Sequence, residues 1–232
     1  MSEIVAITQA RMSSTRLPGK SLREMLGRPM LGLMFERLNH GNTRVLHAVA
    51  TSADPSDDPI EEFCRTTNIP VIRGSLHDVL ARYIKAIDYF EPQVVMRLTG
   101  DNPIIDNRAI KVGLDAFDAC EASESVGVCN HLDNRSDPLG YCVEVFEPDA
   151  LQWLHQQELD RSEREHVTLG FKNRGQYSSF SILDGDFHEM RWTVDTPEDF
   201  QYQRRMFEAI GLHGSAEAAL AWTKDNPHPQ IR

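Results

Sequence analysis

The chain has 232 residues, 41% of them hydrophobic and 25% charged, and its formal net charge is −11. This composition is typical of a globular protein that buries a core, and it disfavours broad nucleic-acid binding, which needs a basic face. The start Met1-Ser2-Glu3 lacks the features of a signal peptide, and no apolar run reaches membrane-spanning length. The four cysteines show neither a C-x-x-C pair nor histidines at zinc spacing. We therefore expect a cytoplasmic protein with reduced thiols and neither membrane nor nucleic-acid partners; catalysis by a cysteine is the less favoured alternative.

The first half of the chain alternates short apolar strands with amphipathic helices. The predicted strands are Ile4–Thr8, Val45–Thr51, Val71–Ile72 and Val94–Leu98. The predicted helices are Met30–Leu38, Pro59–Thr67, Val79–Phe90 and Ala109–Cys120. Strands that alternate with helices through short turns predict an α/β fold with a mostly parallel central sheet.

The alternation changes after Cys120. The predicted strands of this half are Ser125–Cys129, Tyr141–Phe146, Tyr177–Leu183 and Arg191–Val194. The predicted helices are Pro148–Gln157, Arg164–Arg174 and Glu198–Ile210. We expect one domain over residues 1–225, with a strand-and-helix insertion at about 131–174, and a polar tail at 226–232.

The segment QARMSSTRLPGKS, which follows the first strand, ends in Gly-Lys-Ser like a phosphate-binding P-loop. Ser14 stands where the P-loop pattern requires glycine, and Pro18 removes an amide that would cradle phosphate. The P-loop interpretation therefore fails, but three cations lie in this loop with no acid among them: Arg11, Arg16 and Lys20. A basic loop after a strand of an acidic protein predicts a small anionic ligand, with a solvated surface loop as the alternative. Because no G-x-G-x-x-G follows the strand, a dinucleotide-binding enzyme is disfavoured.

Two further loops carry an aspartate after a predicted strand. They are TGDNP, which contains Asp101, and DTPED, which begins with Asp195. In a parallel sheet such loops can meet the basic loop at one edge. Paired carboxylates beside cations suit metal-assisted nucleotidyl transfer, because the carboxylates hold Mg²⁺ and the cations neutralise pyrophosphate. A turn at Asp101 and a helix cap at Asp195 are the alternatives.

The segments QARMSSTRLPGK, RLTGDNPIID, REHVT and RWTVDTPEDF resemble the cytidylyltransferase family of CMP-Kdo and CMP-sialic acid synthetases, most closely its SpsF-like branch. The resemblance runs from Ile4 to about Ile210 and implies a Rossmann-like nucleotidyltransferase fold that uses CTP and Mg²⁺ and dimerises through the insertion. It implies CMP transfer to an acidic sugar or related acceptor, with release of pyrophosphate, in polysaccharide or glycan precursor synthesis. The alternatives are a phosphonate or sugar phosphate acceptor and a non-catalytic nucleotide-binding or scaffold subunit.

The resemblance also implies roles for single residues. Arg11, Lys20 and Asp101 would be catalytic, and Asp101 and Asp195 would bind the metal. The implied nucleotide-binding residues are Gln9, Ala10, Arg11, Met12, Arg16, Lys20, Thr51, Ser52, Arg73, Gly74, Asp78, Val79, Arg82, Thr99 and Gly100. The implied acceptor-binding residues are Asn102, Gly140, Glu144 and His166. For residues 73–82 the alternative is a capped helix with exposed arginines, and for His166 it is a helix-surface position.

Two positions near the predicted acceptor region stand apart. Arg97 precedes TGD on a strand, so that if it points inward it needs a partner or a phosphate. Cys142 stands where SpsF-like sequences often carry an acid, in GYCVEVF instead of GLDVEVF. This departure leaves the acceptor's identity open.

Overall fold

A computed structural model of the chain describes residues 3–41, 45–120, 126–131 and 136–229. Its strands are β1 (Ile4–Gln9), β2 (Glu24–Met25), β3 (Arg28–Pro29), β4 (Val45–Ser52), β5 (Val71–Gly74), β6 (Val94–Thr99), β7 (Gly127–Cys129), β8 (Glu144–Phe146) and β9 (Tyr177–Ser179). Its helices are α1 (Met30–Asn39), α2 (Asp58–Thr66), α3 (Val79–Phe90), α4 (Asn107–Asp118), α5 (Pro148–His155), α6 (Arg161–Glu165), α7 (Leu169–Asn173), α8 (Pro197–Ile210) and α9 (Ala216–Asp225). Among the residues so described, no helix is both long and apolar enough to cross a membrane.

Seven of the strands form one sheet in the order β5-β4-β1-β6-β8-β7-β9. β5, β4, β1 and β6 are parallel, β8 is antiparallel to both of its neighbours, and β7 and β9 again run in the direction of β6. The mostly parallel α/β sheet predicted from the sequence is confirmed. Because the strands share a direction, the loops that follow β1, β6 and β7 leave the same edge of the sheet.

The sheet is covered on both faces, which explains why its central strands are apolar along their whole length. Along β1, Ala6 contributes to the core on the face of α1, α4, α8 and α9, whereas Val5 and Ile7 contribute to the core on the face of α3 and α5. This alternation is the period of two that a strand imposes on its side chains. The two layers of helices hold the sheet rigid beneath the loops at its carboxyl edge.

Several predicted elements of the second half are shorter in the structure. Only Glu144–Phe146 of the predicted strand 141–146 pairs, and the start of the predicted strand at residue 125 lies outside the described residues. The predicted strand 177–183 ends at Ser179, because the Ile182 and Leu183 amides donate to the carboxylate of Asp137 instead of to a strand. The predicted helix 164–174 is interrupted between α6 and α7, where Val167 has a positive φ of 54°.

The predicted strand Arg191–Val194 is wrong, since Arg191 forms only an isolated bridge with Leu139. The carbonyl of Val194 accepts from the Lys20 ammonium and is not part of a strand ladder. Two elements escaped prediction, the β2–β3 hairpin and α9, which begins at the N-cap Ser215. α9 holds the buried Trp192 through a hydrogen bond from the indole nitrogen to Thr223 Oγ1 at 2.9 Å.

Candidate active site

A cavity of about 580 Å³ opens at the carboxyl edge of the sheet, among the loops that follow β1, β6 and β7. This volume is in the usual range for a small-molecule site. The predicted site residues that line the cavity are Gln9, Ala10, Arg11, Arg16, Lys20, Val79, Arg82, Thr99, Gly100, Asp101, Asn102, Gly140, Glu144, His166 and Asp195. The structure therefore brings together residues that lie up to 186 positions apart in the sequence.

Lys20 lies at the centre of this edge and is only 9% exposed. Its ammonium Nζ donates to the Val194 carbonyl at 2.7 Å, to Asp101 Oδ2 at 3.2 Å and to Asp195 Oδ1 at 3.1 Å. All three donors of the ammonium are therefore used. The two carboxylate oxygens lie no more than about 6.3 Å apart, the sum of their distances to Nζ.

The loop from Gln9 to Ser21 folds back so that Lys20 reaches this position. Gly19 adopts the left-handed conformation with φ of 73°, and its amide donates to the Met12 carbonyl at 2.9 Å. Residues Lys20–Leu22 then form a short 3₁₀-helix, and Ser21 Oγ donates to the Arg11 carbonyl at 3.1 Å. The loop closes on itself and presents its lysine inward.

Asp195 is surrounded by three cations. In addition to Lys20, Arg16 Nη2 lies 3.0 Å from Oδ1 and Arg191 Nη2 lies 2.8 Å from Oδ2. Burial alone would raise the pKa of Asp195, but these cations, led by Lys20, hold that pKa below its usual value. Asp195 is therefore ionised at neutral pH and bound tightly in place.

Asp199 holds Asp195 and Arg191 in position. It is buried, it accepts from the Asp195 and Thr196 amides at the start of α8, and it forms an ion pair with Arg191 at 3.2 Å. Thr196 and Asp199 together form a capping box for α8. The helix cap that was the alternative role for Asp195 thus belongs to its neighbour Thr196.

The remaining cations of the basic loop are exposed. The side chains of Arg11 and Arg16 are 41% and 61% exposed, and within the described residues Arg11 has one long ion pair, with Glu165 at 3.4 Å. Both arginines line the cavity. Since exposed ion pairs of this kind contribute little to stability, these guanidinium groups are available to an anionic ligand.

Arg82 forms a buried wall of the cavity beneath this loop. It is 2% exposed, its Nη1 donates to the Ala50 carbonyl at 3.3 Å, and its Nε has no partner in the described part of the chain. Burial lowers its pKa. The alternative of exposed arginines after β5 is therefore wrong for Arg82, although Asp78 does cap α3 by accepting from the Ala81 amide.

Six residues predicted to bind nucleotide do not line the cavity: Met12, Thr51, Ser52, Arg73, Gly74 and Asp78. The Met12 amide and the Ser52 side chain and amide all donate to Asp57, which is buried and joins the basic loop to the end of β4. Arg73 is held by Asp58 and Glu61 on α2, and Asp78 pairs with Arg164. Met12, Ser52, Arg73 and Asp78 therefore contact other protein groups that hold the loops in place.

The far side of the cavity is built on β6, β7 and β8. Arg97 and Glu144, paired across β6 and β8, form a buried ion pair, and Arg97 Nε also donates to Gln9 Oε1 at 3.1 Å. His131 Nε2 lies 2.6 Å from Glu144 Oε1. Burial alone would raise the pKa of Glu144, but Arg97 and His131 lower it to about 2. The inward-pointing Arg97 thus has the carboxylate partner that its burial requires.

The predicted acceptor residues lie on this side too. Asn102 donates to Thr99 Oγ1 at 2.8 Å, and His166 is exposed at the end of α6 and lines the cavity. Gly140 has a φ of 104°, and a Cβ there would collide with the backbone of Trp192 and Thr193. Only glycine lets these two loops approach so closely.

Sequence reasoning missed three residues of the site: Arg191, Asp199 and His131. Arg191 and Asp199 lie inside the segment RWTVDTPEDF that had been singled out, so that the charges around Asp195 were visible in the sequence. His131 carried no such signal, because its contact with Glu144 depends on the pairing of β7 with β8.

A family model described as cytidylyltransferase matches residues 5–209. The spore coat polysaccharide biosynthesis protein SpsF of Bacillus subtilis is 33% identical over 99% of this chain and 96% of that protein. A 3-deoxy-manno-octulosonate cytidylyltransferase of Pasteurella multocida is 30% identical over 66% of this chain and 57% of that protein. The structure of a cytidylyltransferase from Leptospira borgpetersenii is 27% identical with a TM-score of 0.89, and the match covers 100% of this chain and 97% of that one.

Proposed function

The chain belongs to the cytidylyltransferase family, and we propose that it transfers CMP from CTP to an acidic sugar or a related acceptor, with release of pyrophosphate, in polysaccharide or glycan precursor synthesis. The observation that carries this proposal is the meeting of Lys20, Asp101 and Asp195 at the edge of the cavity, beside the exposed Arg11 and Arg16. A protein that only bound a nucleotide would have no use for two carboxylates beside its phosphate-binding cations.

The triphosphate is expected to lie on the basic loop. Arg11, Arg16 and Lys20 would neutralise the charge that develops on the leaving pyrophosphate, and their positions on a folded loop would reduce the reorganisation needed during the reaction. Arg82 supplies a buried guanidinium with spare donors for the nucleotide, and Val79 beside it supplies an apolar surface.

Asp101 and Asp195 fit a divalent cation such as Mg²⁺. They offer hard oxygen ligands on either side of one cation, Lys20, at a separation that a small side-chain movement would close to shared coordination. The ion would polarise the α-phosphate when bound. Lys20 would then be released from the carboxylates and be free to contact phosphate oxygens.

An acidic acceptor fits the far side of the cavity because of the charges there. Lys172 supplies a positive charge there, His131 and His166 line the same side, and the charge of Arg97 is already balanced by Glu144. The relatives named for 3-deoxy-manno-octulosonate use an acidic sugar, which supports the same class of acceptor here. We expect a cytoplasmic enzyme whose partners are CTP and a small-molecule acceptor and include neither nucleic acid nor membrane.

We also propose a homodimer that pairs through the insertion at about 131–174, of which residues 132–135 lie outside the described part of the chain. Within the described ranges, the exposed large hydrophobic side chains are Trp153 on α5 and Tyr89 on α3, and these two helices pack against each other. The exposed Trp153 on the insertion, with Tyr89 on the helix packed beside it, supports an interface there.

Pyrophosphate release tests the proposed function. The purified protein would be incubated with CTP, Mg²⁺ and single acceptors: 3-deoxy-manno-octulosonate, sialic acid, a phosphonate and a sugar phosphate. We expect release that requires both an acidic sugar and CTP, with the other three nucleoside triphosphates as controls. Tight CTP binding without release for any acceptor would favour a non-catalytic nucleotide-binding or scaffold subunit.

A further inference from the structure

His131 and Glu144 form a histidine–carboxylate pair in the wall of the cavity opposite the basic loop. His131 Nε2 lies 2.6 Å from Glu144 Oε1, and Arg97 donates to the same oxygen from the neighbouring strand. Glu144 is 1% exposed and is ionised, with a pKa of about 2, because Arg97 and His131 outweigh the opposing effect of its burial. The carboxylate is thus a fixed negative charge beneath the imidazole.

This contact determines which ring nitrogen carries the proton. An ionised carboxylate can only accept a hydrogen bond, so that Nε2 of His131 must be the donor. In the neutral ring the other nitrogen, Nδ1, then holds a free lone pair. The side chain is 30% exposed and lines the cavity. His131 is therefore a base whose tautomer and orientation are fixed by a partner, as in enzymes that activate a hydroxyl group.

The order of the strands places this base relative to the reacting phosphate. The sheet runs β1-β6-β8-β7, with the basic loop after β1, Asp101 after β6 and His131 two residues after β7. β7 runs in the direction of β6, so all three features lie at the same edge, with neighbouring strands about 4.8 Å apart. The basic loop and His131 therefore lie on opposite sides of Asp101.

In-line displacement at phosphorus requires this same order. The attacking oxygen and the leaving oxygen lie on opposite sides of the α-phosphate. If pyrophosphate leaves toward the basic loop on β1 and the α-phosphate lies beside Asp101, the attacking hydroxyl must enter from the side of β8 and β7. His131 lies on that side.

We propose that His131 is the general base of the transfer reaction. This proposal rests on the proposed function. Nδ1 takes the proton of the acceptor hydroxyl as the acceptor oxygen forms its bond to the α-phosphorus of CTP. The bond from the α-phosphorus to the bridging oxygen breaks, and its electron pair leaves with pyrophosphate. Glu144 stabilises the imidazolium that results, and the proton then passes to solvent.

The other titratable groups around His131 are less suited to this role. The thiol of Cys129 is buried, and its pKa is raised well above the ordinary value, so that it stays protonated. Cys142, Glu165, His166 and Lys172 also line the cavity. Cys129, His131 and Glu144 also offer metal-ligand atoms within 4.8 Å of one another. However, the Cys129 thiol stays protonated and His131 Nε2 already donates to Glu144, which disfavours a metal ion there.

The variant His131→Gln tests the base, because its amide can still donate to Glu144 but cannot take a proton. We expect kcat to fall by about 10²- to 10⁴-fold, the usual contribution of a general base, with KM for CTP within about twofold of the parent value. Added imidazole should restore part of the activity of His131→Ala. The matched control is His188→Gln, since His188 also lies 2.6 Å from a carboxylate, that of Asp186, but is exposed and does not line the cavity. It should retain the parent rate.

Failure of the base and failure of the proposed function give different results. If the parent protein turns over and His131→Gln is equally fast, the general base is refuted while the proposed function stands. The same holds if the parent protein binds one equivalent of Zn²⁺ and His131→Gln does not. Absence of parent turnover with every acceptor would count against the proposed function. The ¹⁵N spectrum of the His131 ring needs no acceptor: protonated Nε2 with bare Nδ1 supports the base, and the opposite tautomer overturns it in either case.

Discussion

Replacing Lys20 with methionine would separate its two roles, as a bridge between carboxylates and as a ligand for phosphate. In the structure the side chain is 11% exposed and holds Asp101, Asp195 and the Val194 carbonyl. Removal of one partner of a fully buried ion pair costs about 3–5 kcal/mol.

The expected cost here is smaller, because the bridge is only partly buried. The Asp101 side chain is 30% exposed, and Asp195 would keep Arg16 and Arg191. We therefore expect Lys20→Met to lower the free energy of unfolding by about 1–3 kcal/mol at pH 7. For a chain of this length that corresponds to a Tm lower by roughly 2–12 °C. Calorimetry would measure it, with Lys85→Met as the control, since Lys85 donates to the Arg73 carbonyl at 2.7 Å but is exposed.

The pH dependence supplies a second check on this cost. A carboxyl whose pKa is lowered in the folded state adds stability above its unfolded pKa, and this stability is lost as the pH falls through the folded value. The pKa of Asp195 is lowered from 3.8 in this way by Lys20 and the two arginines. The difference between parent and Lys20→Met should therefore be greatest near neutral pH and should narrow below about pH 4.

The phosphate role is measured by CTP binding. Lys20→Met should bind CTP more weakly than the parent protein, and should therefore gain less Tm from saturating CTP and Mg²⁺. A variant with parent stability and parent CTP affinity would refute both the bridge and the phosphate role. Loss of stability with unchanged CTP affinity would leave Lys20 a structural residue only.

The meeting of the three loops could be predicted because it follows from strand direction. Parallel strands send their following loops to one edge, and this alone placed Asp101 beside the basic loop. Asp195 lies at the same edge for a different reason, because the segment before it does not form a strand. That segment is held by the ion pair of Arg191 with Asp199 and by the hydrogen bond from Lys20 to the Val194 carbonyl. The predicted position of Asp195 at this edge therefore rested on a strand that the structure does not contain.

What could not be predicted depends on contacts between distant segments. The inward turn of Lys20 requires Gly19 in the left-handed conformation and the closing bond to the Met12 carbonyl, which the sequence does not encode as a pattern. The break before α7 depends on the positive φ of Val167, a conformation that β-branched residues rarely adopt. By contrast, α9 was missed although its sequence indicates a helix, since Ser215 is an N-cap before a run rich in alanine.

Three further predictions address the frame of the site, the assembly and the metal. Gly140→Ala should lower the free energy of unfolding by about 3 kcal/mol or more, because a φ of 104° is strained for alanine and the added Cβ would collide with the backbone of Trp192 and Thr193. Chemical denaturation would measure this loss, and a midpoint equal to that of the parent protein would contradict the geometry. Light scattering at micromolar concentration should give a dimer for the parent and a monomer for Trp153→Glu, whereas a monomeric parent would contradict the interface. Asp101→Asn and Asp195→Asn should each lower kcat by orders of magnitude while CTP affinity falls less, because Arg11, Arg16 and Lys20 still hold the triphosphate. Since both carboxylates would serve one Mg²⁺, the double variant should be scarcely slower than the poorer single one, and fully additive losses in kcat would show that the two carboxylates act independently.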